Sequence, residues 1–228
     1  MNKKRFVIIV AGGEGLRMGA PIPKQFLELL GKPILIHTIE KFLLIKPHQL
    51  ILVIPFSHTT TVVALLKKFM LRDEVVLVNG GKTRFGSVKN GLMSISNQEG
   101  LVAIHDAVRP LITQSVIEES FVKAAKYDSG VVSVPLKDSI RKIDGDKNYA
   151  VDRGDFQSIQ TPQTFNLKLL KEAFDVSYQS IFTDDASVFE KKGHQIHLVE
   201  GDYANIKITT PEDLIVAESF LSSQKETE

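Results

Sequence analysis

Four segments of this sequence carry residue types suited to phosphate chemistry. The first runs Ala11-Gly12-Gly13-Glu14-Gly15-Leu16-Arg17-Met18-Gly19, with Pro23-Lys24-Gln25 just beyond. Its glycines let the backbone approach a ligand closely and aim N–H groups at phosphate oxygens. Arg17 and Lys24 add two cations that could neutralise charge building up on a triphosphate under attack. The segment is neither common nucleotide loop. No Gly-Lys-Ser/Thr follows, Arg17 and Met18 stand where a dinucleotide fingerprint needs its third glycine, and Pro21 and Pro23 oppose an immediate helix. The plainer alternative is a tight turn with two solvated cations.

The second segment is His105-Asp106-Ala107-Val108-Arg109-Pro110. Asp106 could hold a hydrated Mg²⁺ or a ribose hydroxyl, since hard cations take oxygen ligands. A local Asp106–Arg109 ion pair ordering a loop is the alternative. His105 reads as a packed or loop-fixing residue, and no histidine cluster suggests zinc. The third segment is Gly80-Gly81-Lys82-Thr83-Arg84-Phe85-Gly86-Ser87. Thr83 or Ser87 could cap a helix or bind a ligand, and Gly81 permits close backbone approach. The fourth, Asn205-Ile206-Lys207-Ile208-Thr209, reads as a strand with Asn205 and Lys207 on one face. Lys207 there is either a point-charge clamp for a phosphate or a solvated lysine. Asp152-Arg153 and Gln160-Thr161-Pro162-Gln163 are not decisive alone. No nucleophile elbow, zinc-protease helix or calcium loop is present, and Asp184-Asp185 reads as a helix cap.

Positioning these segments requires a sheet. Residues 6–10 are a continuous apolar run ending in glycines, which reads as a buried parallel strand. Similar runs at 50–54, 75–78, 101–104 and 131–134 alternate with helical spacing at 33–44, 58–71, 83–95 and 113–127. The alternation predicts an open α/β sheet with helices on both faces, and the first three segments then fall at the strands' carboxyl ends, where such sheets bind ligands. The pattern breaks near residue 137. Residues 139–143 and 149–151 flank Asp144-Gly145-Asp146 as a hairpin. That arm, within 137–158, has too few apolar residues for a core of its own and must cover the domain or meet a second subunit. Beyond it, 167–178 and 185–192 read as helices, 195–199 and 205–208 as strands, and Thr210-Pro211 starts a last helix.

Composition bounds the function. The chain has 228 residues, suited to one large α/β domain with an excursion, and 43% hydrophobic with 24% charged residues is ordinary globular composition. Lys+Arg number 28 and Asp+Glu 27, a formal net charge of +1 that speaks against a generic nucleic-acid or membrane-surface binder. Cysteine is absent, so disulfides, thiolate metal sites and cysteine nucleophiles are excluded. The basic start MNKKR with its apolar run mimics a signal peptide, but the run is too short, and no stretch approaches a membrane span. A soluble cytoplasmic protein is the expectation.

Taken in order, AGGEGLRMG, PKQ, GKPILIHT, GGKTRFGSV, HDAVRP, VPLKDS, VDR, QTPQTF, TDDAS, VEGD and NIKIT resemble the motifs of the 2-C-methyl-D-erythritol 4-phosphate cytidylyltransferases across nearly the whole chain. No one motif is specific; the ordered set is. The resemblance implies a Rossmann-like nucleotidyltransferase fold in a single domain, a mostly parallel open sheet, and a homodimer built through the projecting β-arm. It implies CTP and a polyol phosphate as substrates, with Mg²⁺ or another divalent cation. Arg17 and Lys24 then resemble the pair that stabilises the pentacoordinate α-phosphate. Ala11, Gly12, Gly13 and Gly15 resemble loop positions around CTP, and Gly81, Lys82 and Ser87 the stretch that reads cytosine and ribose. Asp106 and Arg109 resemble substrate- and metal-side positions, while Arg153, Thr161 and Lys207 resemble the residues that hold methylerythritol phosphate. Ser139 stands where the family often has Thr, and it would join Arg153 in the partner's site if the arm crosses a dimer. Ala11-Gly12-Gly13, Val108 and the run IKITTPEDL also resemble the sister ribitol-5-phosphate cytidylyltransferases, whereas VPLKDSIRKID, VDR and GGKTRFGSV favour the methylerythritol branch. A nucleotide-binding regulatory protein without turnover is the alternative of another class.

Overall fold

The computed structural model describes residues 3–13 and 22–225, so Gly15 and Arg17 lie outside the described residues. The chain starts with β1 (Arg5–Val10) and, after a small hairpin of β2 (Glu28–Leu29) and β3 (Lys32–Pro33), enters α1 (Ile34–Leu43). It continues through β4 (Gln49–Ile54), α2 (Thr59–Lys68), β5 (Val75–Asn79), α3 (Arg84–Ser94), β6 (Leu101–Asp106), α4 (Gln114–Tyr127) and β7 (Ser129–Pro135). The arm is β8 (Arg141–Asp144) and β9 (Lys147–Ala150), and the return strand is β10 (Gln157–Asn166). Helices α5 (Leu167–Ala173) and α6 (Asp185–Lys191), strand β11 (Leu198–Glu200) and helix α7 (Pro211–Lys225) complete the fold.

The central sheet has seven strands in the order β11-β7-β10-β6-β1-β4-β5. Pairings around β1 and β4 are parallel, and β10 alone runs antiparallel to both its neighbours, β6 and β7. The register aligns Ile8 with Ile51 and Ile104, so one row of β-branched side chains crosses the sheet. Period-two alternation divides the core. Val7, Ile9, Leu50, Leu52 and Ala103 pack with Phe42 of α1, Leu66 of α2 and Phe121 of α4. Phe6, Ile8, Ile51, Val53 and Val102 pack on the other face with Val88 of α3, Leu170 of α5 and Phe189 of α6. Both faces are covered, which is why these strands read as continuous apolar runs. A third cluster joins Leu29, Ile34, Val108 and Ile208 to Ala217 and Leu221 of α7.

The helix starts follow local chemistry. Thr83, Thr113 and Asp184 accept the hydrogen bonds of N-caps for α3, α4 and α6. Asp213 in the first turn of α7 accepts from both the Thr209 and Thr210 N–H groups. Three expectations change. Residues 205–208 form no ladder: Ile208 N–H bonds the Val108 carbonyl and Ile206 N–H bonds Ala204, so the segment is an anchored loop without a strand neighbour. Helix α5 stops at Ala173 instead of running to 178: Phe174 is its C-cap, stacked on Phe85 at 4.8 Å between ring centroids, and the next N–H, of Asp175, bonds only three residues back to Glu172. The strand expected at 195–199 is shorter and shifted, to Leu198–Glu200. No helix among the described residues is long and apolar enough to cross a membrane.

Candidate active site

The carboxyl ends of β1 and β6 and the turn after β5 border one cleft of about 730 Å³. Ala11, Gly12 and Gly13 floor it, with Lys24, Lys82, Arg84 and Lys207 as its described cations and Asp106 as its described carboxylate. Ala11 is held at both ends, its N–H donating to the Val53 carbonyl at 2.9 Å and its carbonyl accepting from Gln25 Nε2 at 2.9 Å. Lys24 is nearly buried, and its Nζ donates to the Ile208 carbonyl at 3.0 Å. That contact ties the residue beyond the glycine loop to the loop that carries Lys207.

The turn from β5 into α3 forms another wall. Thr83 Oγ1 accepts from Gly86 N–H at 3.0 Å, and Ser87 Oγ accepts from Gly81 N–H at 3.1 Å. A Cβ on Gly81 would lie 2.7 Å from the Gly86 carbonyl carbon, so only glycine lets the two strands of this turn pass. The turn therefore brings backbone without side chains up to the cleft, with the Gly81 N–H and the Ser87 hydroxyl paired to each other.

Asp106 is the electrostatic centre. Its Oδ2 lies 3.0 Å from Lys207 Nζ and 3.4 Å from Arg109 Nε, and its Oδ1 lies 3.6 Å from Arg84 Nε. Burial works to raise the Asp106 carboxyl, but the Arg84, Lys207 and Arg109 charges together outweigh it and hold the group well below the ordinary carboxylate range. Arg84 also grips Asp185 through two hydrogen bonds of 2.9 and 2.6 Å. That bidentate contact locks its guanidinium across the cleft wall.

Behind Asp106 sits His105, fully buried and 4.7 Å from the Phe42 ring centroid. Its Nε2 lies 3.2 Å from the Arg109 carbonyl, which can only accept, so Nε2 carries the proton. Nδ1 then accepts from the Thr161 hydroxyl at 3.0 Å, and the Thr161 oxygen accepts from Asp106 N–H at 3.1 Å. Burial pushes the imidazole pKa from 6.5 down to about 3, against the pull of Asp106, which keeps the ring neutral. The packed, loop-fixing reading of His105 therefore fits the geometry.

The structure thus brings Ala11, Gly12, Gly13, Lys24, Gly81, Lys82, Ser87, Asp106 and Lys207 to one cleft. Arg109 stands behind Asp106, with Nη1 donating to the Asn205 carbonyl at 2.8 Å. Thr161 is buried in the same rear layer. Ser139 and Arg153 do not line the cleft within this chain; both are exposed at the base of the arm, where Arg153 donates to the Lys137 carbonyl. Sequence reasoning gave no role to Gln25 and read Asp184-Asp185 only as a helix cap; Asp184 does cap α6, but the Arg84–Asp185 clamp was not foreseen. Gln25 adjoins Lys24 in a motif that was visible, but Arg84 and Asp185 are 101 residues apart and nothing local links them.

A metal at this cleft would find a single described carboxylate, as no cluster of three His, Asp or Glu side chains exists among the described residues. Mg²⁺ commonly binds through one or two carboxylates plus substrate phosphates and retained waters. Asp106 fits that donor set: it is ionised, it borders the cleft, and its Oδ1 has only the looser Arg84 contact.

Comparison with known proteins places this geometry in a family. The sequence model of the 2-C-methyl-D-erythritol 4-phosphate cytidylyltransferases matches residues 6–223. A protein of that name from Porphyromonas gingivalis is 43% identical over 226 residues, covering 98% of this chain and 100% of its own. One from Bacillus mycoides is 40% identical, covering 96% and 98%. The crystal structure of 4-diphosphocytidyl-2C-methyl-D-erythritol synthase from Anaerococcus prevotii superposes with a TM-score of 0.83 at 30% identity, covering 96% of this chain and 99% of that one. The Thermus thermophilus 2-C-methyl-D-erythritol 4-phosphate cytidylyltransferase superposes at 0.75 with 27% identity, covering 96% and 98%. With a match spanning nearly all of its length and a cationic cleft where the family motifs converge, this chain belongs to the 2-C-methyl-D-erythritol 4-phosphate cytidylyltransferase family.

Proposed function

We propose that the chain joins CTP and 2-C-methyl-D-erythritol 4-phosphate, forming 4-diphosphocytidyl-2-C-methyl-D-erythritol and pyrophosphate in non-mevalonate isoprenoid precursor synthesis. The observation that carries this reading is the make-up of the cleft. The glycine and serine turn at Gly81 and Ser87 lines the same cleft as Lys207 paired to Asp106, so a base at the first and an anionic acceptor at the second would share one site. The reaction is an in-line displacement in which an acceptor phosphate oxygen attacks the α-phosphorus and pyrophosphate leaves. The nucleophile is already anionic, so no general base is needed, and a neutral His105 turned away into the core is consistent with that. Catalysis is then positioning and charge stabilisation.

We assign Lys24, with Arg17, to the charge that develops on the α-phosphate. Lys207 positions the acceptor phosphate, and Asp106 fixes the Lys207 ammonium at 3.0 Å. Mg²⁺ is proposed as the divalent cation, held by Asp106 directly or through water; when bound it would offset triphosphate charge and favour pyrophosphate departure. The arm supports a homodimer, because Ile143 and Tyr149 are 70% and 49% exposed within one chain, and Ser139 and Arg153 at its base would complete the partner's cleft. A cytoplasmic location suits these substrates.

The ribitol phosphate reading is not favoured, since the relatives at 40–43% identity are named for methylerythritol phosphate. A non-catalytic regulator is disfavoured by the same relatives. Pyrophosphate release from CTP and Mg²⁺ tests both: it should be fast with methylerythritol phosphate and slow with ribitol 5-phosphate. In Lys24→Ala, kcat should fall by at least ~10²-fold, the scale for losing one preorganised donor. Preference for ribitol phosphate would overturn the acceptor assignment, and undiminished turnover in a folded Lys24 variant would remove it from the chemistry.

A further inference from the structure

The rear layer behind the cleft closes into a ring. The Thr161 hydroxyl donates to His105, His105 donates to the Arg109 carbonyl, and the Arg109 guanidinium donates to the Asn205 carbonyl. The Asn205 side-chain amide then donates to the Thr161 carbonyl at 3.0 Å, which returns to the start. Its second N–H goes to Gln160 Oε1 at 3.0 Å. Both partners are acceptors, so the amide has one permitted orientation. The ring staples together the end of β6, the middle of β10 and the loop before α7. Asp106 joins it twice, giving its N–H to Thr161 and taking Arg109 Nε on its carboxylate. Lys207 is two residues beyond Asn205.

We infer that this ring is a positioning frame for the Asp106–Lys207 pair, through which His105, Thr161 and Asn205 govern use of the acceptor without touching it. The inference rests on the cytidylyltransferase reading and reassigns one residue within it. Resemblance alone makes Thr161 a substrate contact. In the structure its one hydroxyl proton is committed to His105, and one oxygen lone pair to Asp106 N–H. Because the links are in series and mutually polarising, losing any one loosens the whole frame. Arg109 is part of the frame too, but it also touches Asp106 directly, so it cannot report on the ring alone.

The test compares Thr161→Val, Thr161→Ser, His105→Phe and the Thr161→Val/His105→Phe double variant. His105→Phe keeps a ring against Phe42 and removes both nitrogens. Each of the two disruptive single variants removes two hydrogen bonds of the ring and should lower kcat/KM for methylerythritol phosphate roughly five- to fiftyfold, the scale of that loss. KM for CTP should stay within about twofold, Thr161→Ser should restore activity, and the double variant should be no worse than the poorer single one. Four results would overturn the frame: a loss in Thr161→Val without one in His105→Phe, multiplicative losses in the double variant, equal damage to CTP and acceptor, or a change in thermal stability alone. A crystal structure of Thr161→Val gives a readout independent of turnover. The Lys207–Asp106 separation should widen beyond 3.0 Å, and an unmoved pair counts against the frame. Absence of pyrophosphate release by the wild-type enzyme would instead defeat the reaction assignment, leaving the frame to be decided by the crystal structure.

Discussion

At Asp106 one carboxylate meets three cations, and the histidine beside it stays neutral in the core. The two groups give different pH signatures. The unfolded chain protonates His105 near 6.5, whereas the folded chain resists until about 3. The unfolded state therefore binds more protons across that window, and stability falls as pH falls from 6.5 toward 3, by at most about 1.4 kcal/mol per pH unit. Asp106 is depressed, so its contribution holds above its ordinary value of 3.8 and is lost only at lower pH. Urea unfolding of wild type and His105→Phe between pH 7 and pH 4.5 separates the two. The stability gap between the proteins should shift by about 2 kcal/mol in favour of the variant on acidification. A constant gap would mean that His105 titrates normally. At this scale the sequence was informative about residue type: glycines, lysines and a carboxylate in phosphate-binding company. It was silent on pairing, since Arg84 with Asp185 and Asn205 with Thr161 are joined only by the fold.

Elements were legible where burial is simple. Strands covered on both faces, such as β1 and β4, must be continuously apolar, and they were readable for that reason. Strand β10 was not, although it lies between β6 and β7. Its sequence QSIQTPQTFN is polar and contains a proline, features that argue against a central strand. It is stable there because its buried polar groups are satisfied: Gln163 bonds Asp184 and the Ala186 N–H, and Thr164 bonds Ser120. Its ladder shifts register between Ile159 and Gln163, and Thr161 uses its side chain there to take the Asp106 N–H. The loop at 205–208 shows the reverse error, since alternation was present but no neighbouring strand was available to pair. The turn into α3 offers a test at this scale. Gly81→Ala forces a Cβ onto the Gly86 backbone at 2.7 Å, so the turn must open. KM for CTP should rise by roughly tenfold or more with little change in KM for the acceptor, measured by steady-state kinetics. Equal KM values for CTP in variant and wild type would place the nucleotide elsewhere.

For the whole molecule, a net charge of +1 conceals a sorted distribution. Lys24, Lys82, Arg84 and Lys207 gather on one cleft with Asp106 as the one carboxylate among its described lining residues, and Asp185 behind the wall offsets Arg84. Such focusing raises local anion concentration without making the protein a general polyanion binder. The proposed dimer can be examined through shared sites. Mixing an inactive Arg17→Ala protein with an inactive Arg153→Ala protein should restore part of the activity, because some mixed dimers would contain one intact cleft. No recovery, despite subunit exchange verified by mass, would mean that each site is built within one chain.

The arm leaves the sheet after Pro135 and returns at Gln157, and those two residues are ladder partners. Strands β7 and β10 are thus the two legs of one long hairpin, and everything between them is its tip. Closing a short tip between ends already held side by side costs little chain entropy, and lengthening it costs only slowly more. Length and composition of the outer part of this segment can therefore drift without disturbing the strand order that builds the cleft. If Ser139 and Arg153 at its base serve a partner's site as proposed, those two positions are where the freedom of the tip ends.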